Sequence, residues 1–324
     1  MGLSIGLLGD LMLGRGVAET LATHPPEQLW SPELRELASS LDLVVANLEC
    51  CISRRGNPTD LIPGKPFFFR APPSAVLALE AMNVRVAGVA NNHVLDYGPH
   101  ALEDTLAALH AAGIAAPGAG FGEREARRPA TVATEHGRVG VVAVSDHPYE
   151  YAATPGRWGM AFADLQDGVP AWMEDEFGRL REECDAVIAF PHWGPNMTTH
   201  PTRAQRAAAR RLQELGADLV AGHSAHCFHG VEHGPRGPVL FDLGDALDDY
   251  RVDRKLRNDL GVMAIWRPQS GGLELAGLKL DYAFTRLASG TDADWIAARL
   301  ARACGELGTR VERLAEQRFR VLYA

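Results

Sequence analysis

Cysteine, runs of basic residues and long apolar stretches are all scarce in this chain, and each scarcity excludes a class of protein. Cysteine supplies 5 of 324 residues: Cys50, Cys51, Cys184, Cys227 and Cys304. The number is odd, two are adjacent and no CxxC spacing occurs. That speaks against a disulfide framework or a zinc ribbon, and for reduced thiols in a cytosol. Free thiols of this kind usually behave as small buried hydrophobes. Lys and Arg never gather into a block, and the net charge is −9. A nucleic-acid binder needs a basic stripe to displace counterions, so no nucleic-acid partner is expected. No apolar run approaches the roughly 20 residues of a membrane span, and the opening MGLSIGLLGD has no basic leader before Asp10. The chain therefore reads as cytoplasmic, with its first apolar run a core strand. A GxxxxGK(S/T) phosphate loop is missing too, which leaves an amide-forming enzyme without a nucleotide site.

What remains is ordinary globular composition, 46% hydrophobic and 23% charged, in a chain long enough for one large α/β domain or two medium ones. Short runs rich in Val, Ile and Leu recur: LSIGLLG (3–9), LVVAN (43–47), VRVAGVA (84–90), VGVVAVS (139–145), DAVIAF (185–190), DLVAG (218–222), PVLFDLG (238–244) and GVMAIW (261–266). Their length and bounding Gly, Pro, Asp and Asn fit strands buried on both faces. Between them apolar residues fall at three- and four-residue spacing, predicting helices over 31–41, 73–82, 99–113 and 203–216. The last two end on Gly113 and Gly216, where a left-handed cap suits glycine. Alternation of the two patterns predicts an α/β fold. The Pro/Gly-rich stretch 52–72 reads as a long loop over the site, and 291–317 as a C-terminal amphipathic helix or helix pair.

Metal-compatible side chains fall where these strands end. Asp10 closes the first run; Asn47 and Glu49 close the second; Asn91, Asn92 and His93 follow the third. His192 follows a later run, His223 and His226 the next, and Asp242 and Asp245 another. In open α/β sheets ligands bind beyond the carboxyl ends of strands, so these groups converge on one edge. Carboxylates with imidazoles and an amide oxygen suit one or two divalent transition-metal ions (Zn, Mn or Fe), and a carboxylate such as Glu49 can bridge two of them. Each residue has a plainer alternative. Asp10 can cap a helix, Asn92 can serve a turn, His192 can be a hydrogen-bonded structural histidine, and His223 and His226 can cap or bond backbone. Independent caps would favour Ser and Thr over His and Glu, which is why the set as a whole reads as a metal site.

The ordered motifs GDLMLGR, ANLE, ANNHVLDYG, HWGPN, GHSAH and GDALDDY, spanning about residues 1–265, resemble the CapA (poly-γ-glutamate biosynthesis protein) family. That family looks like a branch of the calcineurin-like metallophosphoesterases. The resemblance implies a four-layer α/β/β/α sandwich with a dinuclear site at one edge. It implies a domain over 1–285 and a helical extension over 286–324 packed on it. By position it gives Asp10, Glu49, Asn92, His192, His223 and His226 as metal ligands, with Glu49 bridging, and His93 as acid or transition-state stabiliser. The sequence departs from the phosphoesterase pattern at Met12, where a histidine is usual, and in the two-residue gap of GHSAH.

Around this set, Asp96 is placed to orient His93 and is grouped with it and Arg15 as catalytic. Arg15, Lys65 and Arg70 are candidates for substrate oxygens. His147 and Asp245 are outside candidates, while His24, His100, His110, His136 and His233 read as surface residues. The expected activity is hydrolysis of an anionic small molecule or peptide, a γ-glutamyl amide in the first instance and a phosphoester in the second. A non-catalytic assembly factor that keeps a metal-site scaffold is the rival of another class.

Overall fold

The computed structural model describes residues 2–323. In chain order it contains β1 (Ile5–Leu11), α1 (Arg15–Leu21), α2 (Pro32–Ser39), β2 (Leu43–Leu48), β3 (Cys51–Ile52), β4 (Arg70–Ala71), α3 (Val76–Glu80), β5 (Val84–Gly88), α4 (Pro99–Ala111) and β6 (Ala119–Phe121). There follow α5 (Glu123–Ala126), β7 (Ala130–Thr134), β8 (Gly137–Ser145), β9 (Trp158–Met160), α6 (Ala171–Glu183), β10 (Ala186–His192), α7 (Arg203–Leu215), β11 (Leu219–Ala221), β12 (Val231–His233) and β13 (Pro238–Leu240). The last elements are β14 (Asp245–Leu247), β15 (Leu260–Arg267), β16 (Gly272–Leu280), β17 (Thr285–Leu287), α8 (Gly290–Glu306), β18 (Arg310–Ala315) and β19 (Arg318–Leu322).

A nine-stranded sheet runs β18-β19-β16-β15-β1-β2-β5, with β14 beside β1 and β17 beside β16. A six-stranded sheet runs β12-β13-β11-β10-β8-β7. The central strands are apolar on both faces, and the period of two sorts their side chains into separate layers. Ile5, Leu7, Leu43 and Val45 meet Val141, Ile188 and Phe190 of the other sheet in a shared core. Leu8, Val44 and Ala46 point the opposite way, onto α1 to α4 through Val17, Leu34, Leu79 and Leu102. Val142, Val187 and Ala189 pack on Phe177 of α6 and Leu212 of α7. Helix, sheet, sheet and helix are thus stacked in the four layers that the resemblance implies. Each fully buried Leu, Ile or Val contributes roughly 1.5–3 kcal/mol from apolar area removed from water.

The four helices expected from spacing all form, and α7 carries a complete capping box between Thr202 and Gln205. The C-terminal region differs. Helix covers 290–306, but 310–322 is a β-hairpin that joins the large sheet through pairing of β19 with β16. α8 also places Ile296, Leu300 and Cys304 in the core between the sheets. The stretch expected as a helical extension over 286–324 is therefore one helix followed by a two-stranded hairpin, and the hairpin extends the large sheet. Segment 310–315, RVERLA, mixes charged and apolar residues without the period of either element, and cross-strand partners decide it. The expected loop over 52–72 is present between β3 and β4.

Candidate metal centre

β1 ends between two partners. Its register sets Asp10 beside Asn47 of β2 on one side and Asp245 of β14 on the other. Approach from the β14 side is close: a Cβ on Gly9 would lie 1.9 Å from the Gly244 carbonyl oxygen, so only glycine fits there. Glu49 follows β2, His192 is the last residue of β10, and His223 lies just past β11, bridged in parallel to His192. His226 takes a left-handed backbone (φ 58°), which turns the 223–229 loop back over Asp10. Asp242 holds that loop by accepting from Ala225 N at 2.7 Å and from Gly244 N at 2.8 Å.

Two groups of buried donors result, and both contain Asp10. In one, Asp10, His192 and His223 converge, with Nδ1 of His223 3.1 Å from Asp10 Oδ1 and 2.9 Å from His192 Nδ1, and His192 Nδ1 3.8 Å from Asp10 Oδ1. Bonds of about 2.1 Å from one tetrahedral ion put its donors about 3.4 Å apart, so this spacing fits a zinc-sized cation. The other joins Asp10, Glu49, His226 and Asp245, with all donor atoms within 4.8 Å of one another. His226 Nδ1 is 2.8 Å from Asp245 Oδ1 and 3.7 Å from Asp10 Oδ2. Asp245 Oδ2 and Asn92 Oδ1 are buried without a hydrogen-bond partner among the described residues. Buried polar atoms are normally paired, so lone pairs left over here fit a site that receives a cation.

The electrostatics fit it as well. Burial, the proximity of Asp10 and the charge of Asp245 push the Glu49 carboxyl well above its ordinary range. Burial and then Asp248 and Asp10 do the same to Asp245, and burial with Asp10 raises Asp242 to about 8. Burial also opposes the charged form of Asp10, yet the hydrogen bond and charge of His223, then His226 and Asn47, outweigh it and lower its pKa. For His226 burial is again the largest influence, and Glu49 and Asp10 overcome it to raise the pKa. Carboxylates crowded in low dielectric repel one another, and a divalent cation is the charge that lets them ionise together.

Beside the second group stands a dyad. His93 Nδ1 is 2.6 Å from Asp96 Oδ2, its ring stacks on Phe69 at 3.9 Å between centroids, and its Nε2 is 4.0 Å from Glu49 Oε1. Burial lowers the His93 pKa to about 4. Asp96 also accepts from Phe69 N at 2.6 Å and pairs with Lys65 at 3.1 Å. A cavity of about 530 Å³ opens over His93 and His226, walled by Arg15, Lys65, Phe69, Asn92, Tyr250 and Arg251.

Most of the sequence-read residues meet here, with four differences. The shared carboxylate is Asp10, whereas Glu49 belongs to one group alone, because only Asp10 sits on the central strand between both sets. Asp245, an outside candidate, is a full member of the second group. Arg70 is not in the cavity wall: its guanidinium donates to the Gly56 carbonyl at 3.1 Å and lies over the Tyr97 ring. Arg15 lines the cavity, with its guanidinium paired with Asp249 and lying over the rings of Phe69 and Tyr250. His147 pairs with Asp146 and lies 5.3 Å from the His192 ring, outside both groups. Met12 is buried, with its sulfur accepting from Gly14 N, and takes no place among the donors. His24, His100, His110, His136 and His233 are exposed. Sequence reasoning missed Tyr250, whose hydroxyl donates to Glu49 Oε2 at 3.1 Å; its place in GDALDDY was the available signal.

Among the described residues no helix is long and apolar enough to cross a membrane. Comparison with known proteins extends these observations. A probable polyglutamine synthesis accessory protein of Mycobacterium tuberculosis is 32% identical over 94% of this chain and 91% of its own length. The PGA biosynthesis protein CapA of Bacillus subtilis is 26% identical over 76% of this chain and 63% of its own. Among solved structures, the NAD nucleotidase of Haemophilus influenzae has 12% identity and a TM-score of 0.43, over 88% of this chain and 55% of that one. A score at that level adds nothing to the assignment. Residues 4–250 match the family described as bacterial capsule synthesis protein PGA_cap, and with them the relatives above, so the chain belongs to that family.

Proposed function

We propose that this chain is a metal-dependent hydrolase whose substrate is the amide of an acidic, γ-glutamyl-type peptide. The observation that carries the reading is the pair of buried donor groups joined at Asp10, with the His93–Asp96 dyad and the cavity on one side. The residues that would hold ions are Asp10, His192 and His223 for one, and Asp10, Glu49, His226 and Asp245, with the free Asn92 oxygen, for the other. Ions bound there polarise a carbonyl or phosphoryl oxygen and lower the pKa of water.

The chain's own residues do the rest. Asp96 holds the proton of His93 on Nδ1, and burial keeps the ring neutral near pH 7, which leaves Nε2 as an acceptor. That nitrogen takes up a proton from the attacking water and delivers it to the leaving amine. Tyr250 holds Glu49 in place through its hydroxyl, and Phe69 fixes the plane of the imidazole. Arg251 stands in the cavity wall beside Arg15 and Lys65, which are paired with Asp249 and Asp96, and these side chains offer donors to a carboxylate-bearing chain. The names of the relatives, which refer to polyglutamine or PGA synthesis, agree with an acidic polymer as the context.

The test is to load metal-stripped protein with Zn, Mn or Fe separately and offer γ-linked glutamyl oligomers and simple phosphoesters. Release of glutamyl fragments that is lost in His93→Ala, with metal content intact, supports the reading. Turnover of phosphoesters alone transfers the mechanism to that bond. Inertness of the fully loaded protein toward both sinks hydrolysis and leaves a binding role.

A further inference from the structure

Arg299 lies on α8, outside the stretch that matches the family, and is 4% exposed. Its guanidinium has no carboxylate partner within salt-bridge distance among the described residues. Instead it donates to main-chain carbonyls of two different loops: to Phe228 O from Nε at 3.1 Å and from a terminal nitrogen at 2.7 Å, and to Leu256 O at 3.0 Å. The fork lies against Phe228 and Trp295, two rings set edge to face, whose centroids lie 4.6 and 5.3 Å from it. Burying a cation is costly, and a methionine or leucine would fill the same space without that cost. What the guanidinium adds is geometry, because its planar donors reach two loops at once.

Those two loops are the flanks of the carboxylate-rich donor group. Phe228 lies two residues beyond His226, and Leu256 belongs to the segment that carries Tyr250, the hydrogen-bond donor to Glu49. Other contacts bring the same helix against the same places. A Cβ on Gly230 would lie 2.3 Å from Ala303 O, and Arg257 binds Asp292 at the start of α8. His223 opens the same loop, but it is bridged directly to His192 where the neighbouring strands β10 and β11 end.

We propose that Arg299 is a positioning residue of the metal centre, clamping the His226 loop to the Tyr250 loop and so fixing the second ion's site from the C-terminal helix. The proposal rests on the two-ion reading above. It makes the C-terminal segment part of the working site as well as of the core.

The experiment is calorimetric titration of metal-stripped, full-length protein with Zn²⁺ alone and Mn²⁺ alone, for wild type, Arg299→Met, Arg299→Lys and the exposed control Arg302→Met. Circular dichroism and thermal melts confirm that each variant is folded at the working temperature. Wild type and Arg302→Met should show two uptake steps. Arg299→Met should keep one and weaken the other about tenfold or more, the scale seen when support behind metal ligands is removed. Arg299→Lys, which keeps the charge but cannot span both carbonyls, should fall between and serves as the test if Met prevents folding. Wild-type affinities in the folded Arg299 variants, with only a lowered melting temperature, overturn the proposal and leave the two-ion reading intact. A wild type that takes up no ion overturns both.

Discussion

The two donor groups share Asp10 and differ in nearly everything else. His192 and His223 come from adjacent strands of the six-stranded sheet and are almost completely buried, and burial holds the His192 pKa well below the ordinary histidine range. Glu49 and Asp245 come from the nine-stranded sheet, and His226 from a loop at the cavity. One group offers two imidazoles and a carboxylate from buried positions at strand ends. The other offers three carboxylates and a histidine, next to the dyad and to the space for substrate. In the proposed centre this contrast would divide the labour, with one ion anchored between the sheets and the other beside the cavity.

Asp10→Asn is the change expected to do most, because it removes the shared donor. Both ions should be lost on elemental analysis, and hydrolysis should fall by more than about 10⁴-fold, the scale of losing several kcal/mol of Lewis-acid stabilisation. Retention of two ions would show that Asp10 is not shared. Next come His192→Ala and His226→Ala, each expected to lose one ion and to keep the other. If both variants lose the same ion, the division into two groups is wrong. His93→Ala should leave metal content unchanged and cut kcat by about 10²–10³-fold, within the usual range for proton transfer. Full turnover in that variant would remove the dyad from the mechanism.

A pH effect separates the centre from the rest of the fold. His229 lies outside both groups, buried with Nε2 3.1 Å from Thr198 O, and burial lowers its pKa to about 4. The unfolded chain, at about 6.5, binds more protons than the native one between pH 6.5 and 4. Stability is therefore complete above pH 6.5 and is lost as pH falls through that window, by on the order of 2–3 kcal/mol from this residue. Urea unfolding at pH 7 and 4.5, with and without His229→Phe, measures it; equal pH slopes in the two proteins would refute the assignment. The smallest effect belongs to Arg70→Ala. With its guanidinium turned onto Gly56 and Tyr97, KM should move less than about twofold, the level of a surface change of no more than ±0.5 kcal/mol.

The sequence exposes the parts of this molecule that depend on local pattern. Runs such as 139–145 and 185–190 are strands because apolar residues at every position need cover on both faces, and helices such as 203–215 declare themselves by cap and spacing. The candidate residues were legible one by one because each lies at or shortly after the end of an apolar run. Their grouping was not, since whether Asp10 or Glu49 is shared depends on which strand lies centrally, a property of sheet order. The hairpin 310–322 was hidden for a related reason, its charged face reading as helix until β16 supplies a partner. Arg70 shows the opposite error: a cation in a site loop is easy to find, and its direction is not written in the chain.

The pairing of β1 with β14, and the separate hydrogen bond from Ser224 N to Asp10 across 214 residues, have a bearing on how the protein is made. Neither donor group exists until the first strand of the domain has met segments synthesised far later. Closing so long a loop carries an entropic cost that local contacts cannot repay early in folding. Ions at the proposed centre could be taken up only after Asp245 of β14 has reached β1, and they would then latch the first strand of the chain to segments made more than two hundred residues later.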